Sequence, residues 1–363
     1  MISERVAENI YWNERVKGLS PYVPGEQPKD RKFIKLNTNE NPYPPSPKVI
    51  EAIQKSADSR LRLYPDPECV EFREAAAKRF NVKVEQVFAG NGSDEILAFA
   101  FGAFFESERG EAVLFPDVTY SFYPVYANLW NVPFRTIPLC ENFFIKTDDY
   151  KIPSGGVIFP NPNAPTGIAV PLDDILSLAE FLKRQEKVLI IDEAYAAFGA
   201  QSAVSHIEKY DNLLTVHTLS KSASLAGLRA GFAIGSETLI EGMRRIRDSF
   251  NSYTVDRLAL AGAAAAVSDK EYYDDINSRV TSSRERTAVS LKKIGFNVLP
   301  SSANFLFVKH PKISGAAFFA MLREKGILVR HFNRERVSDF LRVTIGTDDE
   351  MDKLIDACKE IIA

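Results

Sequence analysis

The sequence lacks the patterns that mark disulfide-bonded and metal-binding proteins. Its cysteines, Cys69, Cys140 and Cys358, stand far apart with no Cys-x-x-Cys pair, which argues against a disulfide framework and against a zinc cluster. Its histidines form no His-x-x-x-His or His-Glu-x-x-His spacing, so we expect no metal site. Because lone cysteines suit a reducing compartment, we predict a cytoplasmic location.

Charge and hydrophobicity argue against two classes of partner. The net charge of the 363 residues is -3, so we expect neither nucleic acid nor an anionic membrane surface as a partner. The longest apolar stretches, such as 96–105, are far shorter than the roughly 20 residues of a membrane span. The N-terminal residues contain no apolar h-region, so we expect no signal peptide. A hydrophobic content of 45% nevertheless allows a large core.

The middle of the chain has the pattern of an α/β protein. Residues 1–20 are weakly amphipathic and predict a helix, and the proline-rich stretch 21–47 predicts an extended arm or loop. From residue 85 onward, short apolar runs alternate with amphipathic segments such as 173–184, which predicts a mostly parallel sheet. The predicted strands are Gln86–Ala89, Ala112–Phe115, Gly156–Phe159, Val188–Ile191, Leu213–Thr218 and Ala230–Ile234.

The last third of the chain predicts a smaller α+β domain. Its predicted helices are 256–267, 271–293 and 348–362, and its predicted strands are 303–308, 327–330 and 339–345. We therefore predict three parts: an N-terminal arm with part of the small domain, a large domain, and a small C-terminal domain. Their predicted bounds are 1–45, 46–255 and 256–363.

Polar groups follow several of the predicted strands where those strands end. They are a glycine loop at 90–95, an amide-rich turn at 160–167, Asp192 with Tyr195, and Ser220 with Lys221. Ligands of open α/β sheets bind beyond the carboxyl ends of the strands, so we expect one polar cluster at this rim. Taken singly, each of these features also has an ordinary structural explanation, such as a solvated surface lysine or a helix N-cap.

The glycine loop does not fit the common nucleotide motifs. Glu95 stands where the third glycine of Gly-x-Gly-x-x-Gly should be, and the chain contains neither a P-loop nor a Gly-x-Ser-x-Gly elbow. What remains is a lysine-centred site beside a helix N-terminus suited to an anion. Pyridoxal phosphate suits such a site, because it needs a lysine, an acid beside its ring nitrogen and a phosphate cradle.

These motifs resemble those of a known family. Asn-Pro-x-x-Pro-Thr-Gly at 161–167, Asp-Glu-Ala-Tyr at 192–195 and Ser-Lys-x(4)-Ala-Gly-x-Arg-x-Gly at 220–231 resemble the fold-type I pyridoxal-phosphate aminotransferases. The chain is most similar to the histidinol-phosphate aminotransferases, through the stretches 21–25, 36–42, 64–66, 92–95, 119–123 and 341–346. The resemblance implies a large domain with a mostly parallel central sheet flanked by helices, and a smaller α+β domain.

The resemblance also implies a role for each cofactor-binding residue. Lys221 would hold the cofactor covalently and then move a proton between substrate and cofactor. Asp192 would bind the ring nitrogen, Tyr120 would stack on the ring, and Tyr195, with Asn163, would bond the ring oxygen. The implied phosphate ligands are Ser93, Asp94, Ser220, Arg229 and, reaching the neighbouring subunit of a homodimer, Tyr64.

The implied substrates are small anions. Arg342 interrupts an apolar strand, where a charge must be paired or await an anion. By resemblance, Arg330 and Arg342 bind L-histidinol phosphate and 2-oxoglutarate in turn, yielding imidazole-acetol phosphate and L-glutamate in histidine biosynthesis. Further implied substrate contacts are Tyr22, Asn39 and Asn304.

Two departures from the family pattern stand out. Many relatives carry asparagine before Pro-Thr-Gly, where this chain has Ala164, and Asn163 one residue earlier is the candidate replacement. Two extra residues, Asp117 and Val118, also separate the proline of the usual Pro-Thr-Tyr from its threonine.

Three alternative functions share most of these motifs. They are an aminotransferase for aromatic or other amino acids, a decarboxylase of amino-acid phosphates as in cobalamin synthesis, and a non-enzymatic regulator. A regulator would need a DNA-binding segment, and the sequence has no basic extension.

Overall fold

The computed structural model describes residues 11–21, 25–28, 32–106 and 110–363. The helices are α1 (Glu14–Gly18), α2 (Pro47–Ser56), α3 (Val70–Phe80), α4 (Gly92–Phe104), α5 (Tyr123–Trp130), α6 (Leu172–Lys183), α7 (Glu237–Phe250), α8 (Arg257–Ser268), α9 (Lys270–Lys293), α10 (Gly315–Glu324) and α11 (Asp348–Ile362). The strands are β1 (Ile34–Lys35), β2 (Val87–Gly90), β3 (Val113–Pro116), β4 (Phe134–Ile137), β5 (Gly156–Pro160), β6 (Leu189–Asp192), β7 (Leu213–Thr218), β8 (Gly231–Ile234), β9 (Asn297–Val298), β10 (Phe305–Lys309), β11 (Ile327–Leu328), β12 (Arg330–His331) and β13 (Leu341–Thr344). Within the described ranges, no helix has both the length and the apolar character to cross a membrane.

A seven-stranded sheet forms the centre of the larger part of the molecule. Its strand order is β2-β8-β7-β6-β5-β3-β4, and all neighbours are parallel except β8, which runs antiparallel to β2 and β7. The predicted mostly parallel sheet is therefore confirmed. The edge strand β4 was not predicted, because its first three residues are exposed and its sequence is not an apolar run.

Both faces of this sheet are covered by helices. Ile158 and Ile190 pack towards α4, whereas Val157 and Leu189 pack towards α6. Because consecutive strand residues point to opposite faces, strands buried on both sides read as continuous apolar runs.

The smaller sheet has the antiparallel order β12-β13-β10-β9 and packs against α9, α10 and α11. The predicted single strand over 327–330 is wrong in one respect. The chain divides at Val329, so that β11 pairs with β1 and β12 pairs with β13. The predicted extended arm over 21–47 thus contributes the short strand β1.

Two other sequence predictions meet the structure only in part. Of the helix predicted over 1–20, the structure describes Glu14–Gly18, and residues 1–10 lie outside the described residues. The domain boundary at residue 256 stays a prediction. α8 packs against α2 and α3, in the same apolar cluster as residues of β2 and β8, which favours grouping that helix with the large sheet.

The aromatic contact between the two sheets should dominate the stability of their interface. Phe307 of β10 is fully buried, packs edge-on against Phe143, which follows β4, with ring centroids 6.3 Å apart, and shares an apolar cluster with Val157 of β5. We expect Phe307→Ala to lower the free energy of unfolding by about 3–5 kcal/mol, because it leaves a cavity. Urea denaturation followed by circular dichroism measures this.

The matched control is Phe144→Ala, since Phe144 is 43% exposed. This control should change the free energy of unfolding by no more than about 0.5 kcal/mol. Equal destabilisation by the two substitutions would contradict the assignment of Phe307 to the interface core.

Candidate active site

A cavity of about 260 Å³ lies where the central strands of the large sheet end. This is the position expected of a ligand site in an open α/β sheet. Most of the predicted site residues line it, namely Asn39, Ser93, Asp94, Tyr120, Asp192, Tyr195, Ser220, Lys221, Arg229, Arg330 and Arg342.

Lys221 follows β7 and projects its amine into the site. Its Nζ donates a hydrogen bond to the carbonyl oxygen of Thr38 at 3.0 Å. Burial lowers the pKa of Lys221 from its usual value to about 8, and the positive charge of Arg342 acts in the same direction. A sizeable fraction of the amine is therefore neutral near pH 7–8, and the neutral form is the one that attacks a carbonyl carbon.

Asp192 is the last residue of β6 and is buried. Its Oδ1 accepts a hydrogen bond from the backbone N–H of Ala194 at 3.1 Å, and its Oδ2 accepts one from the hydroxyl of Tyr123 at 3.4 Å. Burial raises the pKa of Asp192 to about 7. A cation in the cavity beside this carboxyl would favour its ionised form.

Tyr123 was not predicted as a site residue. Its ring is fully buried, and its hydroxyl donates a hydrogen bond to Asp192. The only sequence signal was the aromatic cluster at 119–126, which also fits ordinary core packing.

Asn39 connects the arm to the phenol of Tyr195. Its Nδ2 donates to the Tyr195 hydroxyl at 2.9 Å, and its side-chain oxygen accepts from Thr344 Oγ1 at 3.0 Å. Asn304 Nδ2 donates to the carbonyl oxygen of Asn39 at 3.0 Å. Asn304 does not line the cavity. Its amide is directed at the Asn39 backbone, and its predicted substrate contact stays a prediction.

The first turn of α4 and Arg229 form a cradle for an anion. Arg229 Nη2 lies 2.9 Å from Asp94 Oδ2, and Arg229 Nη1 donates to Ser220 Oγ at 3.4 Å. Gly92 has a φ of +77°, and a Cβ there would lie 2.8 Å from Arg229 Nη2. Glycine at this position thus lets the guanidinium approach the N-terminus of a 13-residue helix, where backbone N–H groups favour negative charge.

Tyr120 closes one side of this cradle. Its hydroxyl donates to Asp94 Oδ1 at 2.6 Å, and its ring packs edge-on against Tyr123 with centroids 5.7 Å apart. These contacts fix the ring at the wall of the cavity, where a flat ligand can stack on it.

Arg330 and Arg342 are direct neighbours across two antiparallel strands. They pair in register between β12 and β13, and both guanidinium groups lie over the ring of Phe332, at 5.8 and 5.6 Å from its centroid. Like charges directly opposite each other are unfavourable. An anion bound between the two arginines would relieve that repulsion.

Three other predictions need comment. Ala164 lines the cavity, whereas Asn163 does not. Asn163 Nδ2 donates to the carbonyl oxygen of Val118 at 2.9 Å, and Asn163 Oδ1 accepts from Thr119 Oγ1 at 3.0 Å. The predicted contact of Asn163 with the cofactor stays a prediction. Tyr64 is 77% exposed and stacks on Tyr253, away from the cavity of its own chain. The predicted residue Tyr22 lies outside the described residues.

The part of the chain that the structure describes contains no group of three or more histidine, cysteine, aspartate or glutamate side chains placed to hold a metal ion. The ionisable side chains that line the cavity are an amine, two carboxyl groups, phenols and guanidinium groups.

Comparison with known proteins identifies the family of the chain that forms this cavity. The model of the family aminotransferase class I and II matches residues 31–358. A histidinol-phosphate aminotransferase of Clostridium acetobutylicum is 56% identical over 353 residues, which cover 97% of this chain and 99% of the relative. The chain belongs to the histidinol-phosphate aminotransferase family. A second member, from Clostridium beijerinckii, is 51% identical and covers 97% of this chain and 98% of the relative.

Solved structures share the fold of this histidinol-phosphate aminotransferase family member. The enzyme from Sinorhizobium meliloti, in complex with pyridoxal-5'-phosphate, superposes with a TM-score of 0.87 at 22% identity, covering 97% of this chain and 98% of the other. A histidinol-phosphate aminotransferase of Clostridium acetobutylicum that is only 23% identical to this chain superposes with a TM-score of 0.83, covering 91% of this chain and 99% of the other. The predicted fold is confirmed.

The ionisation of Lys221 should be measurable in the cofactor-free protein. We expect labelling of Lys221 by a small amine-reactive anhydride to rise with pH, with a midpoint at about pH 8, because only the neutral amine reacts. Removing the neighbouring positive charge with Arg342→Gln should move the midpoint to higher pH. Peptide mass spectrometry across a pH series measures the labelled fraction.

Arg245→Gln is the control, because Arg245 is an exposed arginine on α7. It should leave the midpoint where it is. A Lys221 midpoint that ignores Arg342→Gln would contradict the electrostatic account of this site.

Proposed function

We propose that the chain is a pyridoxal-phosphate-dependent transaminase that converts L-histidinol phosphate and 2-oxoglutarate to imidazole-acetol phosphate and L-glutamate in histidine biosynthesis. The observation that carries the proposal is the meeting of Lys221, Asp192 and the Arg330–Arg342 pair at one cavity. The 56% identity to a curated histidinol-phosphate aminotransferase supports the substrate.

The residues of the cavity fit pyridoxal phosphate. The α4 N-terminus, Ser220 and Arg229 would hold its phosphate, because they offer N–H, hydroxyl and guanidinium donors in one place. Asp192, buried and inclined towards its neutral form, would gain a partner in a protonated ring nitrogen. Tyr195 would donate to the ring oxygen, since burial raises the pKa of its phenol and keeps the hydroxyl protonated.

The bound cofactor supplies an electron sink for the substrate carbon that carries the amino group. The chain supplies the proton transfer. Lys221 has an amine with a pKa of about 8, close to the value at which a group both accepts and returns a proton near neutral pH. The carbonyl oxygen of Thr38, 3.0 Å from Nζ, orients that amine.

Arg330 and Arg342 would hold the anionic end of each substrate. Histidinol phosphate carries a phosphate and no α-carboxylate, whereas glutamate carries carboxylates. A guanidinium fork binds either group with two parallel hydrogen bonds. The register of β12 and β13 places both forks side by side, which suits two different anions at one site.

We also propose a homodimer with shared active sites. The exposed apolar side chains of two neighbouring segments support it, because such surfaces mark interaction sites. The side chains concerned are Leu61, Leu63, Tyr64, Phe250 and Tyr253, and stacking of Tyr64 on Tyr253 joins the segments. A second copy would present its own Tyr64 to the phosphate. A cytoplasmic location is likewise proposed, supported by three free cysteines.

The first half-reaction tests the proposed function. Adding L-histidinol phosphate without any keto acid to the cofactor-loaded protein should remove the absorbance band of the lysine-bound cofactor and raise that of the aminated cofactor. Lys221→Ala should slow turnover by at least about 1,000-fold with an unchanged circular dichroism spectrum, because the proton carrier is lost.

Two results would contradict this proposal. A band that ignores histidinol phosphate but responds to an aromatic amino acid would move the substrate to that class. Release of carbon dioxide from an amino-acid phosphate, with no keto acid required, would identify a decarboxylase.

A further inference from the structure

A second cavity of about 1080 Å³ opens beside the cofactor cavity, and Arg330 lines both. One wall of this second cavity is the segment 332–337, which follows β12. Asp117, from the loop after β3, lines it as well. Strand β12, with Arg330 and His331, and the loop leading to Tyr120 therefore face each other across this opening.

Arg336 links the segment 332–337 to loops of the large sheet. Its Nη1 forms an ion pair with Asp117 Oδ2, and its Nη2 donates to the carbonyl oxygen of Leu139 at 2.8 Å. Its guanidinium also lies 5.6 Å from the ring centroid of Phe143. The backbone of Arg336 has a φ of +69°. A non-glycine residue keeps this costly conformation only where its surroundings hold it.

Asp117 is itself held in place by its second oxygen. Its Oδ1 accepts hydrogen bonds from the backbone N–H groups of Val118 and Leu139, each at 2.9 Å. Asp117 and Val118 are the two extra residues that set this loop apart from the usual family pattern. The loop continues to Tyr120, which lines the cofactor cavity.

The other end of the segment contacts both substrate-binding arginines. The ring of Phe332 lies beneath the guanidinium groups of Arg330 and Arg342, and it packs edge-on against Phe307 with centroids 6.2 Å apart. Only three residues separate Phe332 from Arg336. A shift of Arg336 would therefore move the ring on which both guanidinium groups rest.

We propose that Asp117 and Arg336 form an anchoring pair that positions Arg330 and Arg342 for the anionic substrates. The inference rests on the proposed function. Neither residue of the pair lines the cofactor cavity, so both are positioning residues. A lone exposed ion pair contributes little. Arg336, however, bonds a carboxylate through Nη1 and a backbone carbonyl through Nη2, so that its rigid planar fork fixes both contacts in one geometry.

Four variants test the anchoring pair: Asp117→Asn, Arg336→Gln, the double variant, and Arg336→Lys. Each of the first two should raise KM for both histidinol phosphate and 2-oxoglutarate by about 10-fold, below the roughly 100-fold that a 1 Å misplacement can cost. The value of kcat should stay within about twofold, because the proton-transfer step at Lys221 is untouched. The double variant should be no worse than the worse single one, because both changes remove the same contact.

Two further measurements separate positioning from general structural damage. Arg336→Lys keeps the charge but not the fork, so its KM should lie between those of wild type and Arg336→Gln. The absorbance of the bound cofactor and the thermal midpoint should match wild type in all four variants. Arg184→Gln is the matched control, since it breaks an exposed ion pair with Glu180 on α6, and it should change neither KM nor kcat.

Unchanged KM values in both single variants would contradict the proposed role of the anchoring pair. Additive effects of the two substitutions on KM in the double variant would contradict it as well. Loss of bound cofactor or a fall in kcat alone would overturn it too. If wild type turned over glutamate but ignored histidinol phosphate, the proposed substrate would be wrong, yet the KM for glutamate would still test the pair.

Discussion

The rest of this site depends on the burial of a lysine and an aspartate at the carboxyl ends of neighbouring central strands. Desolvation moves both groups towards neutrality, taking the pKa of Lys221 to about 8 and that of Asp192 to about 7. A neutral amine is ready to react, and a buried carboxyl is ready to bind a cation. Pyridoxal phosphate suits both groups, because its carbonyl carbon can react with the amine and its ring nitrogen can bind the carboxyl group.

The packing of the chain is what keeps these groups in place. Parallel strands with helices on both faces deliver Asp192 and Lys221 to the same rim. Gly92 allows Arg229 to reach the first turn of α4, and Asn39, in a left-handed conformation, connects the arm to Tyr195. Strands, a glycine and an asparagine from distant parts of the sequence thus converge on one small volume.

Much of this could be predicted from the sequence, for identifiable reasons. Strands buried on both faces read as apolar runs, and the polar residues after them mark the rim. The strands β5, β6 and β7 and the position of Asp192 and Lys221 at that rim could therefore be predicted. Side-chain contacts that depend on distant loops could not be predicted from the sequence. Asn163 turns to Thr119, Asn304 turns to the Asn39 backbone, and Tyr123 reaches Asp192. None of these directions is encoded in local spacing, and the division of 327–330 into two strands likewise depends on pairing with β1 and β13.

The most direct test of the account identifies the residue that holds the cofactor. The protein is loaded with pyridoxal phosphate, treated with borohydride to make the bond permanent, digested and mapped by mass spectrometry. The account predicts one cofactor adduct, on the peptide that contains Lys221. An adduct on another lysine, or none at all, would contradict the assignment of this cavity as the active site.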